Sequence, residues 1–264
     1  MSYLGLVRPL VNMKFEGRVR DSAIAVLEIG IEKGYSSFGI VQGLIERSSA
    51  FAYVGVDIKL DNEVSNTFAA FSGINYFEQR PGRPPAIFRE NDACEKSVFM
   101  YEENSLDFLE RNKGKYKFDI IIVDGDHNYY TVLKELNLLL DYITENTIII
   151  CDDYFGKYAE EDLYYADRPT YNDVKIATRI NKQERTKKKG VQTAIDDFVM
   201  QPGCPLEIEK FESTSWCVLK NKNRSLKLFT TNGLSRDDIL VFSTKDAKKK
   251  RDENKGLFST SPFI

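Results

Sequence analysis

Histidine is almost missing from this sequence: 264 residues contain one, His127. Sites that need two or more imidazoles from one chain are therefore excluded, including the HExxH zinc motif and three-histidine zinc centres. Cysteine is also sparse. Cys94, Cys151, Cys204 and Cys217 show no CxxC spacing, so neither a zinc knuckle nor a dense disulfide framework is expected, and reduced thiols in a cytoplasmic compartment fit best. No run of 18 apolar residues occurs, which argues against a membrane-spanning helix. Met1 to Arg20 lacks both a long apolar core and a small-residue cleavage site, so no secretory signal is expected. Charge of one sign is lacking too: 37 basic residues face 40 acidic ones, a net charge of −3, and a broad affinity for nucleic acid is disfavoured.

What is present is an alternation of short apolar runs with longer amphipathic stretches, the pattern of a parallel sheet covered by helices. Ala23-Ile-Ala-Val-Leu-Glu-Ile29 is read as the first strand and Ser36 to Arg47 as a helix. Ala52 to Asp57, Phe118 to Asp124 and Thr147 to Cys151 are further strands, and Thr131 to Ile143 carries one apolar stripe at helical spacing. Val191 to Met200 reads as a helix, and Leu206–Phe211 with Ser215–Lys220 as a closing antiparallel pair. Two regions break the rhythm. Gly73 to Glu90 holds Pro81-Gly-Arg-Pro-Pro85 and reads as an irregular excursion. Phe155 to Lys189 is polar, rich in tyrosine, and long enough to be a lid or binding loop. Beyond Asn221 the chain is polar, and Lys248-Lys-Lys-Arg251 reads as a solvated face.

Two features carry chemistry. Val26-Leu-Glu-Ile-Gly-Ile-Glu-Lys-Gly34 sets Gly30 and Gly34 between a strand and a helix, where glycine permits a sharp turn and close approach of a ligand to the main chain. The dinucleotide fingerprint GxGxxG does not fit. Asp57 ends the second strand 27 residues after Gly30, where a carboxylate can accept both hydroxyls of a ribose; capping a helix is the plainer alternative. The second feature is Phe118-Asp-Ile-Ile-Ile-Val-Asp-Gly-Asp-His127, its helix, and Ile148-Ile-Ile-Cys-Asp-Asp-Tyr154. In a parallel sheet neighbouring strand ends lie about 4.8 Å apart on one edge, where ligands bind. Asp124, Asp152 and Asp153 are therefore expected to converge, and crowded carboxylates call for a compensating cation; a hard divalent ion such as Mg²⁺ suits an all-oxygen set. Asp126 reads instead as a turn or helix cap. His127 is either the general base beside that site or a structural histidine bonded to main chain.

The motifs Glu28-x-Gly30-x-x-x-Gly34-x-Ser36 and Val54-Gly-Val-Asp57 resemble the cofactor motifs of class I S-adenosylmethionine-dependent methyltransferases. With Val-Asp-Gly-Asp-His127, Ile-Ile-Cys-Asp-Asp-Tyr154 and Gly190-Val-Gln-Thr-Ala-Ile-Asp-Asp-Phe198, the resemblance narrows to metal-dependent small-molecule O-methyltransferases of the macrocin-type sugar group, over about Val26 to Lys220. It implies an α/β fold: a Rossmann-like, doubly wound, mostly parallel seven-stranded sheet with an antiparallel C-terminal strand pair. It implies that Glu28, Gly30, Gly34, Ser36 and Ser37 serve the methionine end of S-adenosylmethionine, Asp57 the ribose, and Asn104 and Ser105 the adenine. Asp124, Asp152 and Asp153 would bind Mg²⁺ or another hard divalent cation, with Asp124 and His127 catalytic. The domain plan is an N-terminal segment or cofactor lid at 1–20, a methyltransferase domain at 21–220 with its insertion at 155–189, and an extension at 221–264. The expected partner is a small-molecule hydroxyl substrate such as a sugar or other diol, with no membrane and no nucleic acid, and homo-oligomerisation is left open. Competing readings are a non-catalytic cofactor-binding module and methylation of a nitrogen or nucleic-acid acceptor.

Overall fold

The structure is a computed structural model that describes residues 23–47, 50–81, 95–171, 174, 187–210 and 214–223. The expected N-terminal segment, Cys94, residues 82–90 of the proline-rich excursion, the middle of the 155–189 insertion and the extension beyond residue 223 lie outside these.

Eight strands form one sheet: β1 (Ile24–Ile29), β2 (Phe51–Asp57), β3 (Asn75–Gln79), β4 (Lys96–Glu102), β5 (Ile120–Val123), β6 (Ile148–Cys151), β7 (Leu206–Lys210) and β8 (Cys217–Asn221), in the order β3-β4-β2-β1-β5-β6-β8-β7. The pairings among β1 to β6 are all parallel, while β8 runs antiparallel to both β6 and β7. The α/β, doubly wound architecture matches expectation, with one correction. The sheet has eight strands rather than seven, because β3 forms an added edge inside the stretch read as irregular. Its residues Asn75-Tyr-Phe-Glu-Gln79 are polar and half-exposed, and it pairs only with β4, so it carries no buried apolar run to announce it.

The central strands are buried on both faces, as continuous apolar runs require. Alternate residues feed two separate cores. Leu27, Ile29, Ile121 and Val123 face helices α3 (Ser105–Arg111), α4 (Tyr129–Leu139) and α5 (Val191–Val199) through Leu109, Leu136 and Phe198. Ile24, Val26, Ile120 and Ile122 face α1 (Tyr35–Arg47) and α2 (Asn62–Ala69) through Val41, Leu44 and Phe68. Three helices start on capping side chains at the carboxyl edge of the sheet: Asp61, Asn104 and Asn128 each accept a first-turn N–H. No described helix is long and apolar enough to cross a membrane. Cys151, Cys204 and Cys217 are buried free thiols, as the sequence suggests.

Candidate active site

The carboxyl ends of β1, β2, β4, β5 and β6 surround a cavity of about 810 Å³. Its floor is the turn after β1. Gly30 has φ +88°, and a Cβ there would stand 2.0 Å from the main-chain oxygen of Asp124, so the first turn and the end of β5 approach as only glycine allows. Gly34, φ +69°, closes the turn, and its carbonyl accepts from Phe38 to start α1. Asp57 ties the turn to β2. Its Oδ2 accepts from the N–H groups of Ile31 (2.7 Å) and Glu32 (2.9 Å), and its Oδ1 from Lys59 N–H (2.9 Å). Burial raises its pKa against those hydrogen bonds. A carboxylate has about four acceptor sites, so capacity is left on the cavity side.

The predicted cofactor residues divide into two groups. Gly30, Asp57, Asn104 and Ser105 line the cavity, whereas Glu28, Gly34, Ser36 and Ser37 do not. Glu28 is fully buried in the α1–α2 core, where its Oε2 accepts from Ser37 Oγ (2.8 Å) and from the Tyr53 hydroxyl. Its carboxyl ties β1, β2 and α1 together, and burial holds its pKa high. On the opposite wall Asn104 caps α3 by accepting from Leu106 N–H (2.9 Å). Ser105 donates to Glu135, a completely buried acid on α4 whose second oxygen has no hydrogen-bond partner. Burial pushes the Glu135 carboxyl up to about 8.

Asp124, Asp126, His127 and Asp152 form the acidic end of the cavity. Val123 pairs with Cys151, so Asp124 and Asp152 follow directly on adjacent strand ends. His127 stands between two carboxylates: its Nε2 is 3.7 Å from Asp124 Oδ1 and its Nδ1 3.5 Å from Asp153 Oδ2, ion-pair distances longer than hydrogen bonds. Its carbonyl accepts from Leu163 N–H (2.8 Å), and its ring stacks on Tyr158 with centroids 5.4 Å apart. Asp153 sits at φ +56°, off the cavity wall, and burial together with the charge of Asp152 raises its pKa. Asp152 Oδ1 accepts from Ser215 Oγ (2.8 Å), at the start of β8's approach. Asp126 accepts from Thr131 Oγ1 (3.0 Å) and Tyr165 N–H (3.2 Å), so it ties α4 to the insertion, while the cap of α4 is Asn128 rather than Asp126.

The donor chemistry of Asp124, Asp152 and Asp153 suits a hard cation, but the side chains do not converge. Among the described residues no three His, Cys, Asp or Glu side chains stand together as a metal-binding group. The Asp153 carboxylate, on a left-handed backbone, lies toward His127, and Ser215 holds that of Asp152.

Besides its tyrosines, which the sequence marks, the insertion supplies Asp162 and Arg168, which it does not. Asp162 Oδ1 accepts from Tyr129 N–H and Gly190 N–H, both at 2.9 Å, and pins the segment to the starts of α4 and α5. Two short 3₁₀ turns, Tyr165–Asp167 and Pro169–Tyr171, then bring Tyr165, Arg168 and Tyr171 to the cavity wall. The only signal for them was the unusual length and tyrosine content of the insertion.

The fold is doubly wound α/β, with the glycine turn opening the cavity at the carboxyl edge of the sheet. Residues 27–154 match the family model described as a methyltransferase domain. No curated protein matches the chain. Among solved structures it is similar to the SAH-bound methyltransferase PaMTH1 of Podospora anserina, at 16% identity over 84% of this chain and 89% of that one, TM-score 0.43. It is also similar to CalS11, a TDP-rhamnose 3′-O-methyltransferase of calicheamicin biosynthesis, at 11% identity over 83% and 79%, TM-score 0.46. A third is MycE, a methyltransferase of the mycinamycin pathway in complex with Mg and SAH, at 15% identity and TM-score 0.42; the match covers 81% of this chain but only 48% of MycE, so the chain spans about half of that protein's length.

Proposed function

We propose that the chain transfers a methyl group from S-adenosylmethionine to a hydroxyl oxygen of a small molecule. The observation that carries this reading is that Gly30 and Asp57, at one end, and His127 with Asp124, at the other, line a single cavity. Its size lies within the range of small-molecule sites, about 300–1,000 Å³. In this reading Asp57 accepts a ribose hydroxyl while its other lone pairs hold the turn, and Asn104 and Ser105 border the adenine. Glu28, Ser36, Ser37 and Gly34 shape the turn from behind rather than from the cavity wall.

The sulfonium is already a good leaving group, so the protein's work is alignment and deprotonation. The carbon–sulfur bond breaks as the carbon–oxygen bond forms, and sulfur leaves as a neutral thioether. The hydroxyl proton passes to His127 Nε2, the nitrogen on the Asp124 side. Asp124 and Asp153 flank the ring and stabilise the imidazolium that results. Asp124, Asp152 and Asp153 are the residues that would hold a hard divalent cation, by turning from their present partners. Such an ion would lower the pKa of an acceptor hydroxyl and fix its position.

Thermal unfolding with and without S-adenosylhomocysteine tests the reading. At 100 times Kd a ligand that binds only the native state adds about 2.7 kcal/mol. Stabilisation by wild type, lost in Asp57→Ala, is expected; an unchanged midpoint at millimolar ligand would refute the cofactor assignment. Calorimetric titration with Mg²⁺, comparing wild type with Asp152→Asn, tests the cation separately from turnover, and absence of a binding isotherm would remove it.

A further inference from the structure

Arg168 is the unexplained cation of the cavity. The wall around it is acidic, with Asp57, Asp124, Asp126 and Asp152 all on it, yet among the described residues Arg168 makes no ion pair. Lys33, another cation on the wall, is held by Asp61 at 2.8 Å, and Lys59 is exposed beside Asp57. Arg168 is instead oriented by neutral groups. Its Nη2 donates to the Tyr158 hydroxyl (3.1 Å), and its guanidinium carbon lies 5.1 Å from the centroid of the Tyr165 ring. Both tyrosines also flank His127, with ring centroids 5.4 and 6.2 Å from the imidazole. One hydrogen bond occupies one of five guanidinium donors. The planar fork is thus fixed in place, half-buried, and still has donors to give, held by the same two tyrosines that flank the candidate base.

We propose that Arg168 anchors a carboxylate of the methyl acceptor, so that the substrate is a small hydroxylated carboxylic acid whose hydroxyl lies at His127. Arginine's paired N–H groups match a carboxylate's two oxygens, and a cation that pairs with no acid among the described residues retains its charge for a ligand. A single negative charge suits the surroundings better than a phosphate's two, since the neighbouring wall is already acidic. Tyr158 and Tyr165 position the guanidinium. This inference rests on the methyltransferase reading above and adds the acceptor's chemical class to it.

The test uses the full chain saturated with S-adenosylhomocysteine and two probes that differ in one group, 3,4-dihydroxybenzoate and 3,4-dihydroxybenzamide, titrated by calorimetry. Wild type is expected to bind the acid at least about tenfold more tightly than the amide, a ratio within the reach of one charge-assisted pair. Arg168→Met is expected to bring the ratio to about one with S-adenosylhomocysteine affinity within about twofold of wild type. Arg168→Lys, which retains charge but not the fork, should retain an intermediate ratio and guards against a folding defect in the methionine variant. Equal binding of acid and amide by wild type, or binding of neither while S-adenosylhomocysteine binds normally, overturns the proposal and leaves the methyltransferase reading standing. A large loss of S-adenosylhomocysteine affinity in Arg168→Met with the ratio unchanged also overturns it, by assigning the arginine to the cofactor's own carboxylate. If wild type does not bind S-adenosylhomocysteine at all, the functional reading falls first and the acceptor class with it.

Discussion

Replacing Glu135 with glutamine isolates one strongly perturbed acid behind the cavity wall. Glu135 is fully buried on the apolar stripe of α4, with Ser105 on one oxygen and nothing on the other. Desolvation, and to a lesser degree the charge of Asp126, lifts its pKa from 4.5 to about 8. Because the folded state holds this proton after the unfolded chain has released it, stability is full below pH 4.5 and is lost as pH rises through 8. Between those values the slope is about 1.4 kcal/mol per pH unit, and the loss from pH 5 to pH 8 is about 3–4 kcal/mol. Glutamine cannot titrate but keeps an acceptor for Ser105, at the cost of a buried amide N–H with no partner. Urea denaturation of both proteins from pH 5 to pH 9 should therefore show the variant equal to or below wild type at pH 5 and above it at pH 8.5. Glu28, Asp57 and Asp126 are raised as well and tilt both curves in the same direction, so the difference between the two proteins is the quantity to read. Parallel curves would show that Glu135 is ionised at neutrality and that the burial argument is wrong.

Gly30→Ala should destabilise the fold by about 3 kcal/mol or more, because the added carbon meets the Asp124 carbonyl at 2.0 Å at a φ of +88°; a denaturation midpoint within the error of wild type would contradict the close approach. Asp57→Ala removes the acceptor of three main-chain N–H groups, and a loss of about 2 kcal/mol is expected together with at least tenfold weaker S-adenosylhomocysteine binding, read by denaturation and calorimetry. Asp57→Asn should separate the two effects, retaining more stability than affinity. His127→Ala should lower kcat by about 10²–10⁴ without changing S-adenosylhomocysteine affinity; a variant within a few-fold of wild type would demote the imidazole to structure.

The parallel core was readable because β1, β2, β5 and β6 are buried on both faces and so appear as uninterrupted apolar runs. The same logic explains the miss at β3, whose half-exposed polar residues give neither a run nor a clean alternation. Strand parity also held information that the motif overrode. Glu28 shares its face with Ile24 and Val26, and residues two apart on a strand must point the same way. Its burial against Tyr53 and Ser37 followed from position alone, before any cofactor role was carried over to it.

At the site, what the sequence could convey was the location of carboxylates along the chain, and what it could not convey was their direction. Asp57, Asp124 and Asp152 stand at strand ends, and the register of parallel strands brings strand ends to one edge whatever the side chains do. Direction depends on single torsions and on partners remote in sequence. The φ of +56° at Asp153 turns its carboxylate to His127, and Ser215, 63 residues on, fixes Asp152. The insertion is the extreme case. Its contribution depends on Asp162 pinning the segment across α4 and α5, and only then do Tyr158 and Tyr165 come beside the imidazole and Arg168 come to the wall. A chain with one histidine thus surrounds it with carboxylates from two strand ends and with tyrosine rings from the insertion. The two halves of the cavity were therefore unequally legible: the half built on strand ends follows from topology, and the half that would choose the acceptor follows from contacts made by a loop.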